Sequence, residues 1–203
     1  MIKVIDKALS DPLFKSLKDI VLGNDFFPWY LGTDINVNED PVSYYVQNKN
    51  SVNTNQLTHH LYVDVNHTYG QGDVSSHTKF VHKLIMPVLK KHKIFGYIVR
   101  SKFNLLFPNP NVKDNQYNIP HYDLDDAHYS ALLYLNNSDG DTVFFEEKNQ
   151  NKKLTNLTEI KRVQPKENRL VISDGHYHTS SNPKKHQHRI VLNIVVKKGT
   201  NVI

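Results

Sequence analysis

The chain has 203 residues, enough for one domain with a substantial core and too few for two large ones. With 38% hydrophobic residues, 10% aromatics and a formal charge of +5, it reads as a globular protein. Its mildly basic balance permits an acidic or nucleic-acid partner without demanding one. It has no cysteine, which excludes thiol catalysis, disulfides, iron–sulfur clusters and cysteine-held zinc; any metal must be held by His, Asp or Glu.

The opening MIKVIDKALSDPLF lacks a signal-peptide core, and no apolar run reaches the roughly 18 residues of a membrane span. A soluble, cytoplasmic protein with no membrane partner is expected, so the sequons at Asn66, Asn136 and Asn156 carry no sugar. The stretch 10–23 predicts a helix. Ser10 caps it, Pro12 lies in the first turn, Leu13, Leu17, Ile20 and Val21 form a stripe, and Gly23 stops it. An aromatic lead-in, FFPWYLG, follows, and then an Asn-rich loop over 34–56. HHLYVDV predicts a strand. A second helix is expected where Phe80, Leu84 and Val88, and Val81, Ile85 and Leu89, recur at helical spacing; Pro87 kinks it or starts a new turn.

After Gly96 the pattern changes to strands. YIVRSKFNLLF alternates, so Arg100, Lys102 and Asn104 share one face. SALLYLN, DTVFFEE, EIKRVQP, NRLVISD and RIVLNIVV follow, each short and bounded by Asn, Asp, Gly or Pro. The expected fold is mainly β (α+β): a jelly-roll core with N-terminal covering helices. We expect a single domain, 1–203, with a helical and loop support region over 1–96 and a β-core over 97–198.

Histidines concentrate in two places, NIPHYDLDDAH and HYHTSSNPKKHQH. His121 and Asp123 are two residues apart, so in extended chain both reach one ion. Two histidines and one carboxylate on one face of a metal form the triad of non-haem Fe(II) oxygenases. The third ligand must come from a distant segment, and His178 fits, at a turn beyond the strand NRLVISD. His176 rivals it, Asp125 and Asp126 rival Asp123, and His186 and His188 are weaker candidates. An isolated His-x-Asp is common by chance, and a polar loop of solvated histidines is the plain alternative. His59, His60, His67, His77, His82 and His92 read as structural or surface residues.

PHYD, YSALLYLNNSDGDTVFFEE, NRLVISDGHYHTSS and RIVLNIVV together resemble the 2-oxoglutarate-dependent Fe(II) oxygenases. The branch they resemble is the prolyl-4-hydroxylase-like one, which includes small members carried by viruses of bacteria. The resemblance spans roughly residues 100–196 and implies a double-stranded β-helix with a metal near one open end. By position it implies His121, Asp123 and His178 as iron ligands, with His178 preferred to His176 because HTSS begins at it. It implies Arg189, 11 residues beyond His178, as the group that forks onto the distal carboxylate of 2-oxoglutarate. Tyr134 matches a tyrosine reaching the same carboxylate, and Thr142 a pocket wall. Where the family often has a tyrosine, this chain has Phe107, so Asn104 is expected to contact the cosubstrate instead.

The implied activity is hydroxylation of a peptidyl residue, with proline as first candidate, consuming 2-oxoglutarate and O₂ and releasing succinate and CO₂. Ascorbate is an implied auxiliary, and a peptide or protein is the implied partner. An oxygenase acting on nucleic acid or a small molecule is one alternative; a non-enzymatic metal-binding jelly-roll module is another. Substrate is expected to approach over 107–120 and 34–56, which lack a hydrophobic period and so serve as a mobile lid. Arg100, Lys102 and Lys113 are the expected substrate-side residues.

Overall fold

The structure is a computed structural model and describes residues 1–23, 25–32, 50–65, 72–148 and 156–199. Most of the expected loop 34–56, together with His67 and the lysine pair 152–153, lies outside the described residues.

A large antiparallel sheet is built from β1 (Ile2–Ile5), β2 (Tyr30–Gly32), β4 (Gln56–Val63), β5 (Gly72–Asp73), β6 (Gly96–Leu106), β8 (His128–Tyr134), β11 (Leu170–Asp174) and β13 (Arg189–Lys198). Its order is β1-β11-β8-β13-β6-β4-β2, with β5 beside β4. A small sheet, β10-β9-β12, is formed by β9 (Thr142–Lys148), β10 (Glu159–Val163) and β12 (His176–Ser180). β3 (Ser51–Val52) and β7 (Tyr117–Asn118) pair in parallel. This is the two-sheet architecture of a double-stranded β-helix. The first 96 residues supply not only helices and loops but β1 to β5.

The central strand β13 is covered on both faces, and its alternation separates two cores. Ile190, Leu192, Ile194 and Val196 pack with the helices α1 (Asp11–Leu22) and α2 (Thr78–Lys91). Val191 faces the other way, against Leu132, Tyr134 and Val171 of the large sheet and Phe144 and Val163 of the small one. Val195 meets Val99 and Leu124 on that same inward side.

α1 buries Phe14, Leu17 and Val21, while Leu13 is 43% exposed. The stripe is therefore rotated by one residue from the sequence expectation: 14, 17 and 21 are also spaced i, i+3, i+7, and the larger Phe14 takes the core position. α2 runs through Pro87, whose ring sits on the solvent side, so the carbonyl it leaves unbonded can be hydrated. Phe80 is also outward, at 40% exposure. No helix among the described residues is long and apolar enough to cross a membrane.

β12 replaces the expected turn. Gly175 alone joins β11 to β12, in a left-handed conformation (φ 57°) that favours glycine. That single residue carries the chain from the large sheet to the small one, and so carries His178 across the cleft. Polar HYHTS forms a strand because it has a ladder to join, against β9.

Candidate metal and cosubstrate site

His121 and His178 are placed by the backbone. They form an isolated antiparallel bridge, His121 N–H to His178 O at 3.0 Å and His178 N–H to His121 O at 2.8 Å, with ring centroids 4.8 Å apart. Each Nδ1 faces a backbone carbonyl: Ile119 O at 3.5 Å for His121 and His176 O at 3.1 Å for His178. Donation from Nδ1–H would turn the Nε2 lone pair of each ring toward the third member of the set. Those Nε2 atoms lie 4.0 Å and 3.5 Å from the two oxygens of Asp123. Ligand atoms of all three residues fall within 4.8 Å of one another. Around an ion held at about 2.0–2.2 Å, ligands sit no more than about 4.4 Å apart, so a small contraction would close the set.

Asp123 is gripped from both sides. Arg100 Nη2 donates to Oδ1 at 2.5 Å, and Ser130 Oγ donates to Oδ2. Burial alone would raise the carboxyl pKa, but the charges of His178, Arg100 and His121 outweigh it and hold it far below the usual range. Burial, then His178, push the His121 imidazole down to about 3. At neutral pH the group is thus a carboxylate with a neutral His121, the forms that ligate a divalent metal.

A second cluster begins β13. Arg189 is 3% exposed; its Nε donates to Gly140 O and its Nη2 to Thr142 Oγ1, both at 2.8 Å. Thr142 Oγ1 lies 2.6 Å from Tyr134 Oη, and the guanidinium stands 5.5 Å from the Tyr134 ring centre. Burial pulls the Arg189 pKa down and pushes that of Tyr134 up. Among the described residues no carboxylate comes within ion-pair reach of Arg189. A buried guanidinium without a counter-ion costs folding free energy unless an anion binds it.

The inward face of the large sheet shows the same incompleteness. Asn104 Oδ1, His128 Nε2, Ser173 Oγ and Asn193 Oδ1 are buried and lack a hydrogen-bond partner. By strand parity and register all four belong to the face that carries Arg189, Tyr134 and Ser130. Buried polar groups are normally paired, so a face with four unpaired ones is shaped for something other than packing.

Solved structures share this architecture. An oxidoreductase of the 2OG-Fe(II) oxygenase family from Burkholderia pseudomallei aligns over 98% of this chain and 86% of its own, with TM-score 0.64 and 11% identity. The fold is that of the 2-oxoglutarate–Fe(II) oxygenases. A prolyl hydroxylase from Trichoplax adhaerens, in complex with a hypoxia inducible factor peptide fragment, aligns over 97% of this chain and 78% of its own (TM-score 0.55, 12% identity). So does the epimerase SnoN in complex with Fe3+, alpha ketoglutarate and nogalamycin RO, over 97% and 78% (TM-score 0.56, 8% identity). No protein-family model and no curated protein matches the sequence.

In this oxygenase fold the remaining expected residues separate clearly. His176 is turned from the triad: Nδ1 bonds Phe145 O at 2.9 Å and Nε2 faces the Met1 amino group at 3.2 Å. The register irregularity between His176 and His178 directs the two rings to different neighbours. Asp125 accepts from Tyr122 Oη, Asp126 pairs with Lys197, and His186 with Asp139. Arg100 was expected at the substrate mouth; instead it grips Asp123. Lys102 shares the face of Arg100 and Asn104 and is half-buried. Lys113 sits on an exposed turn, its N–H bonded to Gln116 Oε1.

The segment 107–120 is tied down more than its composition predicts. Val112 is buried and its carbonyl accepts from Lys184 Nζ, Phe107 O accepts from Asn182 Nδ2, and β7 pairs with β3. The buried side chains of Val112 and Tyr117 and these backbone acceptors suffice, which a search for hydrophobic period does not detect.

Three contributors escaped the sequence reading. Ser130 was detectable by parity, since it shares the face of Tyr134 four residues on. Asn118 Nδ2 donates to Ser180 O, and Thr179 Oγ1 donates to Asn118 O, stitching the strand before His121 to the one bearing His178. Asp139 accepts from the backbone N–H groups of Lys184, Lys185 and His186, fixing the turn before Arg189. The last two depend on contacts 45–62 residues apart, with no local signal.

Proposed function

We propose that the protein is an Fe(II)- and 2-oxoglutarate-dependent dioxygenase that hydroxylates a peptidyl residue, with proline the first candidate. The carrying observation is the pairing, in the cleft between the two sheets, of a convergent His121–Asp123–His178 set with a buried Arg189 that has no carboxylate within ion-pair reach among the described residues. The donor set fits a divalent iron: two imidazoles and one carboxylate converging from separate segments. Iron bound there would supply O₂ activation and oxygen insertion into a C–H bond, with ascorbate as an auxiliary.

The protein's own residues prepare that chemistry. His121, Asp123 and His178 would hold the metal, with Nδ1 contacts and the Arg100–Ser130 grip fixing their orientation. Arg189 would fork onto the distal carboxylate of 2-oxoglutarate, while Tyr134 and Thr142 orient the guanidinium and offer hydroxyls to the same oxygens. Phe144, Leu132 and Val191 exclude water. Overall, 2-oxoglutarate, O₂ and R–H would give succinate, CO₂ and R–OH: one oxygen atom enters succinate and the other the product.

A neighbour that holds a peptide favours the peptidyl reading, and one that holds nogalamycin RO favours the small-molecule alternative. The test is succinate release by the Fe(II)-loaded protein with proline-containing peptides, oligonucleotides and small hydroxylatable compounds in parallel arms. Stimulation by peptides, with product gaining 16 mass units in a proline (roughly one oxygen atom), supports the proposal. Stimulation by another arm alone moves the substrate class; no stimulation in any arm contradicts the enzyme reading.

A further inference from the structure

We propose that Asn193 is a specificity-determining residue for this site, its carboxamide reading the 2-oxo acid end of the bound cosubstrate. The inference rests on the reading of the site given above and adds a residue to it.

Asn193 is 5% exposed and lies mid-strand in β13. Its neighbours two residues away, Val191 and Val195, both belong to inward clusters, so Asn193 points into the cleft rather than toward the helices. Register fixes its level along the cleft. Arg189 lies four residues before it, at the distal-carboxylate end. Val195, two residues after it, stands opposite both Ser130 and Arg100, the two residues that grip Asp123. A ligand held by Arg189 at one end and by the triad at the other therefore passes Asn193.

The chemistry agrees with the position. Asn193 is flanked by Lys102 on β6 and Leu132 on β8. Its Oδ1 is buried and unpartnered, and Asn104 Oδ1, diagonally across on β6, is in the same state. A carboxamide can turn about its last bond to present either an acceptor or an N–H donor, and the donor suits a carboxylate or keto oxygen. An asparagine with a structural role would be hydrogen-bonded; leaving it unpaired at the centre of the longest-buried strand opposes folding. Stability sacrificed at a position beside a ligand site is the signature of a functional group.

This gives a test with two readouts. Titrate 2-oxoglutarate calorimetrically into anaerobic Mn(II)-loaded protein, and melt the metal-free protein. Asn193→Leu removes the amide and fills the space with apolar atoms. Its 2-oxoglutarate affinity should fall about tenfold, while the metal-free melting temperature should rise by roughly 2–4 °C. Unchanged affinity overturns the inference. Lower affinity with a lower melting temperature also overturns it, because a structural amide would behave that way. Asn193→Asp keeps the shape but places a second anion beside the dicarboxylate; it should bind at least as weakly as the Leu variant, and wild-type binding by it overturns the inference even if the Leu variant does not fold. Failure of the wild-type protein to bind 2-oxoglutarate is a different result: it removes the proposed function, and this inference with it.

Discussion

Both oxygens of Asp123 are engaged, by Arg100 on one side and by Ser130 on the other. A ligand so held loses little freedom when a metal arrives, and removing its support loosens the site without removing a ligand. Ser130→Ala should weaken metal binding by about 10–100-fold, whereas Asp123→Ala should abolish it; competition with a fluorescent chelator reads both. At the other end of the cleft, Arg189→Ala should raise the 2-oxoglutarate requirement by roughly 10–150-fold, the equivalent of about 1.5–3 kcal/mol for a charge-assisted fork. An unchanged requirement, measured with metal in excess, would remove Arg189 from the pocket. Asp139 brings pH into the same region. Burial is the largest single influence and raises its pKa, but the backbone N–H groups of Lys185 and Lys184 and the His186 contacts together outweigh it and bring the value down to about 2, from an ordinary 3.8. The folded value is the lower one, so the stabilisation is complete above about pH 4 and is lost as pH falls from 4 toward 2. Asp139→Asn should cost on the order of 1–2 kcal/mol at pH 7 and flatten the melting-temperature profile across that window. A variant profile parallel to wild type there would contradict this assignment.

At the scale of elements, the site depends on two chain crossings marked by glycines. Gly175 moves the chain between sheets, and Gly140 lies where the approach to β9 passes the approach to β13. A Cβ at Gly140 would stand 2.6 Å from Ser181 O, 2.9 Å from Pro183 N and 3.1 Å from Arg189 Cδ. Two of those atoms are backbone and cannot give way cheaply, so Gly140→Ala should destabilise by about 1–3 kcal/mol and weaken 2-oxoglutarate binding by displacing Arg189. Equal melting temperatures for variant and wild type would show that the contact relaxes. Elements also divide what could be read in advance. The strand with Arg100, Lys102 and Asn104 on one face was legible because alternation is local. The strand HYHTS was not, because its polar residues pair only through a distant ladder, and the face of α1 was misjudged by one position because Leu13 and Phe14 compete for the same core.

Over the whole molecule, the cleft between the two sheets joins what the sequence keeps apart. His121, Asp123 and His178 were identifiable as donors from residue chemistry and resemblance, yet neither reveals that one bridge aligns the two histidines or that Asp139 and Asn118 secure the surrounding turns. Arg100 shows the limit most plainly. Its face was read correctly, but its partner depends on where a loop 23 residues later returns. The same reasoning alters the lid expectation. Because Val112 is buried and Phe107 and Val112 carbonyls are bonded to the segment near 182–184, shortening 109–116 should lower the melting temperature rather than leave it untouched. A shortened chain that melts like wild type would restore the free lid. The central claim is that metal and 2-oxoglutarate bind as one unit between the triad and Arg189. It is tested most directly by anaerobic calorimetric titration of 2-oxoglutarate into the Fe(II)-loaded protein, its His178→Ala variant and its Arg189→Ala variant. The wild type should bind one ligand per chain, with affinity lost when iron is omitted and sharply reduced in each variant. No binding by the wild type, or binding indifferent to iron, His178 and Arg189, would contradict it.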